Sequence, residues 1–388
     1  MRCGRKNLFF FQNGAAQNSR CSVLDGQGHV TAIHLPTLRV SEIVVPTPRV
    51  RVSLTDILKR KFWMFFVHTL FNLEHVHTGT ANTAVLRTAH GAILAVEEAS
   101  KPFQLVFDAE GTRIVGGHWL FGERPIAAHS AKGISNFTYS PFRPKALEVD
   151  GEQVDVKFER GFPFMVHSCV SVQGADELIV MPIMSARFGN FFKYARGELS
   201  MPVDESRTSE WLVWNRTDGR TTFVDTHAIT NPLHVVAARR EQDTIVVYSS
   251  HVKSSFSTLL SQTAAELRPA LELRKDVIDV ATMELRGTRV FREASGDFPN
   301  HIGKNLYVIN RLRGWNGEEL VYFDIRRDEV VRRVVVETGA RDVLYHDGQL
   351  LFCTLEHFVV CDAHDGRLLT KVPIPKRATN FHASLLEL

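Results

Sequence analysis

The sequence predicts an all-β fold of hairpins repeated around a common centre, and three observations carry that prediction. Runs rich in β-branched residues and of strand length recur along the chain, at 30–35, 92–96, 178–183, 243–248, 306–309 and 357–362. Short acidic-Gly turns punctuate them: Asp25-Gly26, Glu110-Gly111, Asp150-Gly151, Asp218-Gly219, Asp347-Gly348 and Asp365-Gly366. Asp-Gly suits a tight hairpin because both residues tolerate the positive φ that such turns need. Only one segment, described below, reads as a helix. Hairpins in such number point to radial or sandwich repetition. A propeller of degenerate blades, without a WD or kelch signature, comes first and a large sandwich second.

Composition narrows the class. The 388 residues are 44% hydrophobic and 23% charged, which is the balance of a globular chain and not of a disordered one. Clear linkers and low-complexity stretches are absent, so one domain over 1–388 is expected. No run of about 18 apolar residues occurs, which argues against a membrane-spanning helix. The apolar run near the start, Leu8 to Phe11, is too short for a signal-peptide core. A net charge of +3 offers no electrostatic footprint for nucleic acid. The five cysteines (Cys3, Cys21, Cys169, Cys353, Cys361) include no C-x-x-C pair, so neither a disulfide framework nor a thiolate zinc site is expected. A reducing, cytoplasmic setting fits best. Phe is abundant, 26 residues against 6 Tyr and 5 Trp. It supplies apolar area without a polar handle, for a core first and a channel for a greasy ligand second.

The exceptional segment is 53–77. Ser53-Leu-Thr-Asp56 resembles a capping box with Asp for the usual Glu, and it opens a run that is basic at Lys59-Arg60-Lys61 and strongly apolar from Phe62 to Phe71. Two readings stand level: a helix packed on the sheets, or a basic and aromatic patch at 59–71 resting peripherally on a membrane.

Familiar catalytic signatures are missing: no G-x-G-x-x-G, Walker loop, H-E-x-x-H or G-x-S-x-G occurs. The Asn136 and Asn215 matches to the glycosylation pattern read as chance in a chain with no secretion signal. Histidine, with 17 residues, says more. His75 and His77 stand two apart, so on a strand they would share a face and could hold a metal, but the pair comes after the apolar run that ends at Phe71 and lies near a Thr-Gly turn. His129, His167, His234 and His382 share another character, each beside apolar residues, near the end of a strand and in a different stretch of chain. Singly, each reads as a core histidine. Together they converge only if strands meet at an axis.

Around those four histidines, Asn82-Thr-Ala-Val85, Ile93-Leu-Ala-Val-Glu-Glu98 and Lys101-Pro102-Phe103 resemble the N-T-x-V, L-A-L-x-E and x-P-Y elements of the carotenoid cleavage oxygenase family, here in a divergent form short at its N-terminus. Ala128-His129 with Asn136-Phe-Thr-Tyr-Ser140 resembles A-H-P and F-G-Y-S. Met165-Val-His167 with Ile179-Val-Met-Pro182 resembles M-I-H-D-F and V-F-P. Leu233-His234-Val-Val-Ala-Ala238, Asp297-Phe-Pro299, Val372-Pro-Ile-Pro375 and Asn380-Phe-His382 follow in the family's order, as do Asn13-Gly14 and Leu24-Asp-Gly-Gln-Gly28 at the front.

The resemblance implies a seven-bladed β-propeller with a helical or loop cap over an axial metal site. It also implies one Fe(II) held by His129, His167, His234 and His382. The implied activity is that of an oxidoreductase, a non-haem dioxygenase. It would cleave a C=C bond of a carotenoid, apocarotenoid or related conjugated substrate with dioxygen. Four neutral imidazoles leave the ion its full charge and two open positions, and carboxylates around them fix the ring tautomers. Glu98 matches one of three such glutamates. Asp297 stands for the second, one methylene shorter, so that its bond is expected to be lost or bridged by water. Tyr345 falls where the third is expected, with Glu337 and Asp342 as neighbouring carboxylates. Ala15 replaces a Pro of the family pattern and Ala237 an Asn after the third histidine. The start of the chain, close to Asn13-Gly14, leaves open how the propeller closes. A non-catalytic propeller that binds an apolar ligand or a protein with a degraded metal site, and a retinoid isomerase on the same scaffold, remain the alternatives.

Overall fold

The computed structural model describes residues 7–15, 28–45, 84–88, 90–96, 102–120, 137–138, 147–156, 166, 168–185, 206–252, 271–313, 316–375 and 379–388. Among them the chain forms seven antiparallel sheets, six of four strands and one of three. Each pairs strands that follow one another in sequence, except that the first sheet also takes the chain's last strand, and each forms one blade of a propeller. Every strand range read from the sequence falls on a strand, from Gly28–His34 to His357–Asp362.

The turns explain how short connections suffice. Glu152 pairs with Val149, and Gln349 with His346, so two-residue loops join those strands. Their central residues all have positive φ: 52° and 85° at Asp150 and Gly151, 47° and 77° at Asp347 and Gly348. Both φ values must be positive for the loop twist to match the strand twist, and Asp-Gly meets that condition at little cost.

Closure uses both ends of the described chain. Thr379–Glu387 pairs with Leu8–Ala15, which pairs in turn with Gly28–His34 and then Arg39–Val45. The last strand of the sequence is therefore the first strand of the first blade. Strand alternation distributes the Leu-Phe-Phe-Phe run over both faces of that blade. Phe9 and Phe11 join a core with Val85, Ile93 and Phe103 of the second blade, while Phe10 joins Leu351 and Phe358 of the seventh. Gly28–His34 is buried along its whole length, as a strand sandwiched between neighbouring blades must be. Four further cores lie between the third and fourth, fourth and fifth, fifth and sixth, and sixth and seventh blades. The described phenylalanines thus serve first as packing between blades.

In the second blade and in the fourth to seventh, the first strand in sequence lies innermost, and in the first blade the last strand of the chain does. Asn231–Glu241 lies against both Val170–Val172 and Asp297–Gly303, and Thr379–Glu387 against both Ala84–Arg87 and Leu344–His346. These inner strands run in the same direction: a parallel bridge joins Gln173 to Arg239, with Gln173 N–H donating to the Ala238 carbonyl at 2.9 Å. Their starts therefore share one end of the axis. The segment 53–77, and any cap over the axis that includes it, lies outside the described residues.

Candidate metal centre

His234 is the fourth residue of the inner strand Asn231–Glu241, and His382 the fourth of Thr379–Glu387. Equal depth on two parallel inner strands brings the two rings together, their centroids 5.3 Å apart and nearly perpendicular. Phe298 packs against both, at 5.5 Å from His234 and 5.0 Å from His382. His234 is 6% and His382 7% exposed, so both imidazoles are removed from bulk water.

Each ring turns its Nδ1 to a buried aspartate. Asp297, the first residue of Asp297–Gly303, has Oδ1 2.6 Å from His234 Nδ1. The shorter side chain closes the contact directly, without a bridging water. Asp342 lies two residues ahead of the inner strand Leu344–His346, and its Oδ2 is 3.6 Å from His382 Nδ1. The same oxygen accepts the Ala383 N–H at 2.9 Å. Burial pushes the Asp342 carboxyl up to about 7; the Ala383 and Val343 N–H groups act against that rise and the nearby charge of Asp297 adds to it. One residue earlier, the guanidinium of Arg341 is held down by burial to about 9, against the pull of Asp297.

The carboxylate beside the fourth histidine thus comes from Asp342, three positions ahead of Tyr345. Tyr345 is 37% exposed and stands apart from the pair. Nothing in the local sequence chooses Asp342 over Glu337, because its place depends on where a crossover between blades enters the axis. His129, His167, Glu98, His75 and His77 lie outside the described residues, and the side chain of Glu337 does too. Among the described residues no group of three or more His, Cys, Asp or Glu side chains is set to hold a metal ion. In sequence, His167 comes three residues before the inner strand Val170–Val172, and His129 eight before Phe137–Thr138.

A cavity of about 870 Å³ reaches both imidazoles along the axis. Val85, Val170, Val235, Ala237, Leu344 and Ala383 give it apolar walls, and Gln173, Asp176, Arg216 and His301 line it farther along the strands. Ala237 stands in this wall, where the smaller residue removes a polar group and leaves room.

Sheet count and closure together define a seven-bladed propeller, and its fold is like that of carotenoid cleavage oxygenases of known structure. Cobalt-substituted Synechocystis apocarotenoid oxygenase superposes with a TM-score of 0.70 at 15% identity, over 98% of this chain and 93% of that one. A chimera of apocarotenoid oxygenase with RPE65, in a trigonal crystal form, gives 0.71 at 15% identity over 99% and 93%. The likeness is one of fold. No family model and no curated protein sequence matches the chain.

Proposed function

We propose that this chain is a non-haem Fe(II) dioxygenase that cleaves a carbon–carbon double bond of a carotenoid, apocarotenoid or related conjugated substrate to carbonyl products. The observation that carries this reading is the side-by-side pair of buried imidazole–carboxylate contacts, His234 with Asp297 and His382 with Asp342. His234, hydrogen-bonded through Nδ1 to Asp297, would present its Nε2 lone pair as the basic atom and be a better metal donor for it. Asp342, 3.6 Å from His382 Nδ1, is beyond hydrogen-bond distance and acts on that ring through charge alone. That donor set suits a divalent first-row ion. His234 and His382 would hold the ion with His129 and His167, and Asp297, Asp342 and Glu98 would orient the rings. When bound, Fe(II) supplies the activation of dioxygen beside an electron-rich alkene.

The remaining work falls to the protein. Phe298, stacked obliquely on both imidazoles, restricts their rotation and keeps water from their faces. The cavity is lined by polar and apolar side chains in about equal measure, so only its apolar stretch at Val85, Val170 and Val235 would favour an apolar occupant, and a rigid substrate held there at one depth would fix which bond reacts. Residues 59–71 would collect an insoluble substrate by resting basic side chains on anionic head groups and aromatic ones in the membrane surface, with the enzyme otherwise cytoplasmic. Among the described residues no helix is long and apolar enough to cross a membrane.

Metal analysis of anaerobically purified protein, followed by incubation with carotenoids, apocarotenals and stilbenes under labelled dioxygen, tests the reading. About one iron per chain is expected, lost in His234→Ala and in His382→Ala, with label in the new carbonyl groups. A rearranged product formed without oxygen would replace cleavage by isomerisation. A folded, iron-loaded protein that turns over none of the substrates would leave a binding propeller.

A further inference from the structure

We infer that Asn310 is the positioning residue that sets the Asp342 carboxylate against His382 by tying its crossover to the blade that carries Asp297, a role that rests on the proposed site but concerns atoms outside it. Asn310 lies in Leu306–Arg313, in register with Asp297 on the neighbouring inner strand, so the two are fixed to one another by strand pairing. Its side chain is fully buried, and Nδ2 donates to two carbonyls, Ala340 at 2.9 Å and Arg341 at 2.6 Å. Those are the two carbonyls immediately before Asp342. Both acceptors are carbonyl oxygens, so the group facing them must be the amide NH2; no acceptor atom can take its place.

Residues 340–343 form the buried crossover from the outer strand Glu329–Ala340 of the sixth blade to the inner strand Leu344–His346 of the seventh. A backbone that crosses a core needs donors for its carbonyls, and here a single side chain supplies two. Glycines clear the ground around it. A Cβ at Gly317 would collide with the Ala340 carbonyl and the Asn310 amide, and one at Gly296 with the Asn310 carbonyl. One residue therefore ties the blade that carries Asp297 to the crossover that carries Asp342. A slack crossover would first be felt at the His382–Asp342 contact, which is the longer of the two.

The test compares Asn310→Ala with Asn310→Ser, which are close in volume, but Ser keeps one donor. The full-length, metal-free protein with ring-15N-labelled histidine reports on the His382 imidazole, assigned through His382→Ala. Titration with Co(II) reports on affinity. The expected result is a changed His382 ring signal and a roughly tenfold loss of Co(II) affinity in Asn310→Ala, with Asn310→Ser between it and the wild type. Trp211→Phe, which removes a buried bond to Asp276 in another part of the ring, should lose stability without moving either readout. An unchanged His382 signal in folded Asn310→Ser and Asn310→Ala overturns the inference even if the wild type binds metal. A wild type that takes up no Co(II) overturns the proposed metal site, while the ring signal still decides the role of Asn310.

Discussion

Oδ1 of Asp297 stands 2.6 Å from Nδ1 of His234, a short contact made by a side chain one methylene shorter than the glutamate of the family pattern. The inner strand Asp297–Gly303 brings the carboxylate close enough that no extra length is needed, and at 3% exposure there is little space to accept more. Asp297→Asn keeps the shape and removes the charge, so metal affinity should fall about ten- to a hundredfold. Asp297→Glu should weaken it as well, because an added methylene in a filled site forces the imidazole or its strand to move. Tighter binding by Asp297→Glu, measured by metal titration, would show that the site has room for the longer residue.

Asp342 and Tyr345 make opposite predictions. Asp342→Asn should lower metal affinity by up to about tenfold above pH 7, where the carboxyl is ionised, and by less below it, although the amide oxygen can still accept the Ala383 N–H. Tyr345→Phe, at an exposed position, should leave affinity unchanged. The reverse pattern would return the outer carboxylate's place to the segment around Tyr345.

Local chemistry makes much of the fold legible in the sequence. Asp150-Gly151 and Asp347-Gly348 read as tight hairpins from the residues alone, because their φ requirement is a property of the dipeptide. His234 and His382 are legible through their flanking residues. Asp342 is legible only as one of two carboxylates near Tyr345, with nothing to choose it over Glu337, because its position beside His382 depends on the crossover between two blades. Asn310 is not legible, since its two acceptors are backbone atoms 30 and 31 positions away.

Closure through the first blade predicts where stability is concentrated. Phe10 is fully buried between the first and seventh blades, with its ring 5.0 Å from that of Phe358. Phe10→Ala should cost about 3–5 kcal/mol in urea unfolding, whereas Val335→Ala, at a position 82% exposed, should cost little. Equal effects would mean that the ring does not depend on this seam.

Segment 59–71 carries a prediction from sequence alone. Phe65→Glu together with Phe66→Glu should abolish flotation with anionic liposomes while leaving urea unfolding unchanged. Unchanged flotation, or loss of folding, would assign these residues to the core.

The fifth blade holds a buried histidine that should make the protein sensitive to acid. His251 is fully buried, with Nδ1 2.8 Å from Thr230 Oγ1 and Nε2 2.8 Å from Ser249 Oγ, and with the ring edge-on to Trp211. Burial holds its imidazole well below the ordinary histidine range, and the Arg274 guanidinium, paired with Asp276 at 3.3 Å, adds to that. The folded chain therefore leaves His251 neutral where the unfolded chain protonates it. Its contribution is fully present above the unfolded value of about 6.5 and is lost as pH falls below it, since the unfolded state then binds the extra proton. The slope should approach about 1.4 kcal/mol per pH unit for this one site. Urea unfolding with chelator present, from neutral pH down to about pH 5, should show a shallower acid loss in His251→Gln than in the wild type, starting from a lower stability at neutral pH. Parallel pH profiles for the two proteins would assign the acid sensitivity to other groups.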